Sequence, residues 1–144
     1  MKKVFVDTNV IIDFLCQRDG ALKAAEILQL SEKGVVRNFV SVLTMANVAY
    51  ILRKVFRQQD LIMHLASLSE ILNILPMDEN QFKMALTIDG PDFEDILQEV
   101  CAEANCCDVI VTNNTKHFSF SSIPIYTPSE FLEVFRDVEE GDKK

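Results

Sequence analysis

The feature that most constrains this chain is an alternation. Short β-branched or aromatic runs are each followed by longer segments whose apolar residues recur at helical spacing. Lys3 to Val6 reads as a first strand, and Val10 to Cys16 as a helix through Val10, Ile11, Phe14 and Leu15. Asp19-Gly20 breaks the pattern before a second helix from Ala21 to Lys33, which Gly34 is placed to stop. Val35 to Val40 is a strand, and Ser41 can cap a long helix from Val42 to Arg57. Asp60 is a candidate cap for the next helix, on which Leu61, Leu65, Leu68, Ile71 and Leu72 keep the period, before a short Ile74-Leu75-Pro76 strand. Asp78 and Gln81 have capping-box spacing, and Gly90-Pro91 is expected to stop the helix they start. Asp92 to Asn105 is helical, Asp108 to Thr112 and Ile123 to Tyr126 are strands, and Thr127-Pro128-Ser129-Glu130 opens a last helix. The order β, α, α, β, α, α, β, α, α, β, β, α predicts an α/β three-layer sandwich, a central parallel β-sheet flanked by helices.

At 144 residues the chain is expected to form one domain, residues 1–138, with a polar tail over 139–144. A chain of this size buries roughly two-thirds of its unfolded surface, a core that needs no metal or disulfide staple. Cys16, Cys101, Cys106 and Cys107 sit in apolar contexts without paired C-x2-C spacing, so neither a disulfide framework nor a zinc site is indicated. Asp7 and Asp13 interrupt the first apolar stretch, and no apolar run approaches the roughly 20 residues that span a bilayer. A cytoplasmic protein without a membrane partner is expected. The net charge of −8 argues against a surface that clings everywhere to nucleic acid, because cationic side chains drive phosphate binding. It leaves room for a nuclease, whose metal-binding acids themselves raise the negative count.

The ends of the predicted elements carry the chemistry. Asp7 follows the first strand, at the carboxyl edge where open α/β sheets place their ligands. Asp92 and Asp95 open a helix, and Asn113 follows the fourth strand. Carboxylates gathered without cationic partners repel one another and resist desolvation, a cost normally offset by a bound cation. Hard oxygen donors of this kind suit Mg2+ or Mn2+. Each residue also has a plainer reading. Asp7 and Asp92 are natural helix caps, Asp95 is an acid favoured by the helix dipole, and Asn47 is a polar group facing solvent. Arg53, Lys54 and Arg57 could line a nucleic-acid path, but cations in the last turn of a helix are already explained by its dipole.

Val-Phe-Val-Asp7-Thr-Asn9, Ser41-Val-Leu-Thr44-Met-Ala-Asn47, Asp92-Phe-Glu-Asp95, Cys107-Asp-Val-Ile-Val-Thr112-Asn113 and Lys116-His-Phe118 stand in this order along the chain. Together they resemble a PIN domain of the kind found in the VapC toxins of bacterial toxin and antitoxin pairs. The resemblance runs from residue 3 to about 135, with Asp95 and Asn113 standing 18 positions apart. It implies a ribonuclease using Mg2+ or Mn2+, with RNA as substrate, a cognate antitoxin as partner and a homodimer as the assembly. Asp7 and Asp95 match the family's principal metal ligands, and Asn113 matches a later position that is aspartate or asparagine.

Two positions depart from the pattern. Asn47 stands where glutamate is usual, one negative charge fewer, and Asp92, one turn before Asp95, is the carboxylate expected to compensate. His117 stands where aspartate more often precedes Phe118. A degenerate PIN-fold module that binds RNA or protein without cutting is therefore the second reading. A haloacid dehalogenase-type phosphatase would need an aspartate where Asn9 stands. A receiver domain would need paired acids after the first strand.

Overall fold

The computed structural model describes residues 1–142, with side chains through Phe135. Five parallel strands form one sheet in the order β3-β2-β1-β4-β5. They are β1 (Lys2–Val6), β2 (Val36–Ser41), β3 (Asn73–Leu75), β4 (Val109–Val111) and β5 (Ile125–Tyr126). Among the described residues six helices lie between strands, α1 (Thr8–Cys16), α2 (Ala21–Glu32), α3 (Val42–Leu52), α4 (Gln58–Ile71), α5 (Glu79–Ala85) and α6 (Phe93–Ala104), and α7 (Pro128–Asp142) follows β5. Parallel strands need crossover connections, and helices provide them here. A 3-10 turn over Thr115–Phe118, not foreseen from the sequence, follows β4.

The pleat explains how one strand serves two cores, since successive side chains point to opposite faces. On β1, Val4 and Val6 join a cluster with residues of α1, α2, α3, α4 and α7, while Phe5 packs on the other face with Ile110, Cys101, Ala102 and Phe118. All of β1 from Val4 to Val6 is fully buried, which is why it reads as a continuous apolar run. Its neighbours β2 and β4 pair with it in parallel register, Val4 opposite both Asn38 and Val109. Reversal of strand order on either side of β1 opens a crevice at the carboxyl ends of β1 and β4.

Several boundaries differ from the expectation. The helix expected from Val42 to Arg57 ends at Leu52, and a turn held by Val55 and Phe56 N–H groups on the Leu52 carbonyl carries the chain into α4. Phe56 packs against the core there, and Arg57, with extended backbone, precedes α4. Asp60 lies in the first turn of α4 and is not its cap. α5 ends at Ala85, before Gly90-Pro91. Gly90 has a different use, because a Cβ there would sit 3.0 Å from Ile96 Cδ1 and 3.1 Å from Phe120 Cδ1. The Asp78 carboxylate caps α5 through the Gln81 N–H, but Gln81 Oε1 is buried without a partner among the described residues, so the box is half made. At α7 the reciprocal pair forms, Thr127 Oγ1 accepting from Glu130 N and Glu130 Oε1 from Thr127 N. α7 continues into the segment expected as a polar tail. The side chains of that segment, and residues 143–144 altogether, lie outside the described residues.

Candidate active site

Asp7 ends β1 and caps α1. Its Oδ1 accepts from Thr8 N at 2.8 Å, and its Oδ2 accepts from Thr112 Oγ1 at 2.7 Å and Asn9 Nδ2 at 3.2 Å. The carboxylate is only 6% exposed. Burial pushes its pKa up, and the hydrogen bonds from Thr112, Thr8 and Asn9, with the charge of His117, oppose that rise. Asp7 N donates to the Val111 carbonyl, so the residue is fixed to β4 through backbone and side chain alike.

An open cleft of about 250 Å³ lies over it, lined by Asp7, Thr8, Asn9, Ile12, Arg18, Ile51, Glu94, Asp95 and Asn114. Asp95, on the first turn of α6, has its pKa raised to about 6 by burial and by the charges of Asp7 and Asp92. His117 Nδ1 stands 3.0 Å from Asp95 Oδ2 and acts in the opposite direction. Glu94 is raised too, first by burial and then by Asp92 and Asp7, while a hydrogen bond from Asn47 lowers it. Three acids thus border one cleft, and the charge of Asp7 makes the charged forms of Glu94 and Asp95 less favourable.

The expected residues divide. Asp7 and Asp95 face the cleft. Asp92 does not line it, because its Oδ1 accepts from Asp95 N at 3.0 Å as the cap of α6. A carboxylate turned onto its own helix start satisfies an otherwise free amide and is not directed at the cleft. Asn113 is likewise turned aside, its Nδ2 donating to Asp13 Oδ2 at 2.8 Å and its N–H to Asn9 Oδ1 at 3.2 Å. Its neighbour Asn114 lines the cleft instead. Asn47 reaches the site through another residue, donating from Nδ2 to Glu94 Oε1 at 2.5 Å.

Glu94, Arg18 and Asn114 were not foreseen. Glu94 is the middle acid of Asp92-Phe-Glu-Asp95, and its adjacency to Asp95 was the available signal. Arg18 is the cation that lines the cleft. Arg53, expected on a nucleic-acid path, is stacked on the Tyr50 ring with its guanidinium carbon 3.7 Å from the centroid.

Whether these residues suit a divalent cation can be judged from the donors. Asp7, Glu94 and Asp95 are hard oxygen donors whose charges a cation would compensate. The Thr8 hydroxyl, shielded from solvent beside Asp7, has no hydrogen-bond partner among the described residues. Among the described residues no three His, Cys, Asp or Glu side chains are gathered into a ready cage, so holding an ion requires the acids to draw closer. The donor chemistry fits a hard cation.

The four cysteines are free thiols; Cys101 and Cys107 are buried, which pushes each up to about 11, while Cys16 is half-buried and Cys106 exposed. No helix among the described residues is long and apolar enough to cross a membrane.

Comparison with known proteins bears on the family and the fold. The chain is 29% identical over 141 residues to Ribonuclease VapC1 of Aquifex aeolicus (strain VF5), covering 92% of this chain and 94% of that one. Among solved structures it is similar to a toxin–antitoxin complex from Klebsiella pneumoniae, with a TM-score of 0.64 and 23% identity over 87% of this chain and 97% of that one. It is also similar to DNA-bound VapBC from Salmonella typhimurium, with a TM-score of 0.65 and 22% identity over 89% of this chain and 99% of that one. Residues 3–116 match the model of the PIN domain, and the chain belongs to that family.

Proposed function

We propose that this protein is a divalent-metal-dependent endoribonuclease, the toxin of a toxin–antitoxin pair, acting in the cytoplasm with Mg2+ or Mn2+ as its ion. The observation that carries the reading is the placement of Asp7, Asp95 and Glu94 around one cleft at the carboxyl edge of a PIN-domain sheet. The names of the relatives, a ribonuclease VapC1 and VapBC complexes, support the substrate class and the antitoxin partner.

Asp7, Asp95 and Glu94 would hold the ion, with the Thr8 hydroxyl and Asn114 beside them. A bound divalent ion supplies a more acidic water and neutralises charge that develops on a phosphodiester under attack. The protein's part is orientation. Three hydrogen bonds hold the Asp7 carboxylate in one rotation, and the 3.0 Å contact with His117 holds Asp95. Arg18 offers a positive charge to a phosphate that would otherwise meet three acids and only neutral polar or apolar groups in the lining. Ile51 supplies an apolar wall, and Tyr50 and Val55 stand exposed near it on and after α3, surface that a restraining antitoxin segment would cover.

Purified protein incubated with structured RNA and Mg2+ or Mn2+, beside Asp7→Asn and Asp95→Asn, tests the proposal. Cleavage by the parent and a loss of about a hundredfold or more in each variant is expected. Equal cleavage by parent and variants would remove these acids from the mechanism. A chain that binds RNA but never cuts it favours the second reading, a binding module, which Asn47 and His117 motivate because each stands where the family pattern more often has an acid.

A further inference from the structure

We infer that Glu94 supplies the carboxylate missing from position 47 and that Asn47 is the positioning residue that holds it, so the acid and its partner are interchanged between α3 and α6. The inference rests on the metal-nuclease reading and concerns which side chains complete that site.

Asn47 lies on α3 and Glu94 on α6, 47 positions apart, and their side chains meet at 2.5 Å. An amide at position 47 can donate to a neighbouring carboxylate, where a glutamate there would repel it. Asn47 engages only Oε1 of Glu94, and Oε2 makes no hydrogen bond among the described residues. The same carboxylate borders the cleft beside Asp7 and Asp95. Asp92, the other acid of this turn, is committed to its cap and lies off the cleft. The site therefore keeps three carboxylates in a chain that lacks the acid on α3, and α3 contributes the donor that aims the third.

A merely structural contact between two helices would fit the same distance, and metal affinity separates the two accounts. Mn2+ binding to the full chain, without RNA, is measured by calorimetry for the parent, Glu94→Gln, Asn47→Ala, Asp92→Ser and the exchange Asn47→Glu with Glu94→Gln. Serine at 92 keeps the cap while removing the charge. Glu94→Gln and Asn47→Ala should each weaken Mn2+ by about tenfold or more. Asp92→Ser should stay within about threefold of the parent, and the exchange should recover most of what Glu94→Gln loses. Circular dichroism of each variant checks that the fold is kept, and Glu94→Ala serves if Glu94→Gln fails that check. Mn2+ binding that is unchanged in Glu94→Gln, or an exchange that recovers nothing, overturns the inference while leaving the nuclease reading in place. A parent that takes up no Mn2+ overturns both.

Discussion

Glu99 gives the sharpest stability prediction, because its side chain is buried, acidic and outside the cleft. It is 2% exposed on α6, with Oε1 accepting from Ser121 Oγ at 3.1 Å. Burial, with the neighbouring Glu103 carboxyl, raises its pKa from 4.5 to about 7. The folded chain therefore keeps a proton that the unfolded chain releases. Between pH 4.5 and about 7 the folded state binds more protons, so stability falls as pH rises through that window and levels above it. A shift of this size is worth about 3 kcal/mol at most, and because the neighbouring Glu103 carboxyl contributes to it a range of about 1–3 kcal/mol is the working figure. Glutamine at 99 keeps the shape and the acceptor for Ser121, offers an N–H where the protonated acid had its O–H, and never ionises. Glu99→Gln should match the parent at pH 4.5 and exceed it by about 1–3 kcal/mol at pH 8. For a chain of this length that is a rise in Tm of roughly 2–10 °C. Urea unfolding followed by circular dichroism at the two pH values measures it. A difference that is equal at both pH values, or larger in acid, refutes the argument that burial of this carboxylate sets the pH slope.

Three further perturbations have defined outcomes. A Cβ at Gly20 would sit 2.8 Å from Asp13 Oδ2, which holds Asn113, so Gly20→Ala should cost about 1 kcal/mol of that hydrogen bond and cost almost nothing in an Asp13→Ala background, read by a double-mutant cycle. Ser41→Ala removes both the cap on Thr44 N and the 2.6 Å donor to buried Gln98 Oε1, and should lower the urea-unfolding free energy by about 1–3 kcal/mol. Thr112→Val deletes the hydrogen bond that favours ionised Asp7, so Asp7 titrates higher and the acid limb of the RNA-cleavage pH profile moves to higher pH; an unmoved limb means Asp7 ionisation does not govern cleavage.

How much of this was legible in the sequence follows from which interactions are local. The sheet core was, because buried parallel strands such as Val4–Val6 and Val109–Val111 are apolar on both faces and stand out as short runs. Helix starts at Ser41, Asp78, Asp92 and Thr127 were, because a cap is a contact across three residues. The end of α3 was not. Ile51, Leu52 and Val55 continue the apolar period, and no Gly or Pro marks the stop; the break is set by burial of Phe56 and by Arg53, whose guanidinium donates to the Tyr50 carbonyl and lies on its ring. The use of Gly90 was misread for the same reason, since the atoms it must clear, on Ile96 and Phe120, belong to tertiary packing.

The site divides along the same line, and Asp7 shows why. Capping and a place in the cleft compete only while the carboxylate is treated as one group. In the structure its two oxygens have separate partners, Oδ1 the helix amide and Oδ2 the side chains of Thr112 and Asn9. The cap fixes the rotation of the carboxylate, and the packing of β1 between β2 and β4 removes it from water. Orientation is thus a local property that three consecutive residues announce, while destabilisation of the charge is a property of the whole sheet. The hydrogen bonds oppose that destabilisation without overcoming it, since the pKa remains raised. A buried acid held still, with Glu94 and Asp95 arriving from α6, is the arrangement on which the proposed shared cation rests. Position 47 is marked by the family pattern, but its pairing with Glu94 carries no sequence signature, because nothing between positions 47 and 94 records that α3 and α6 meet.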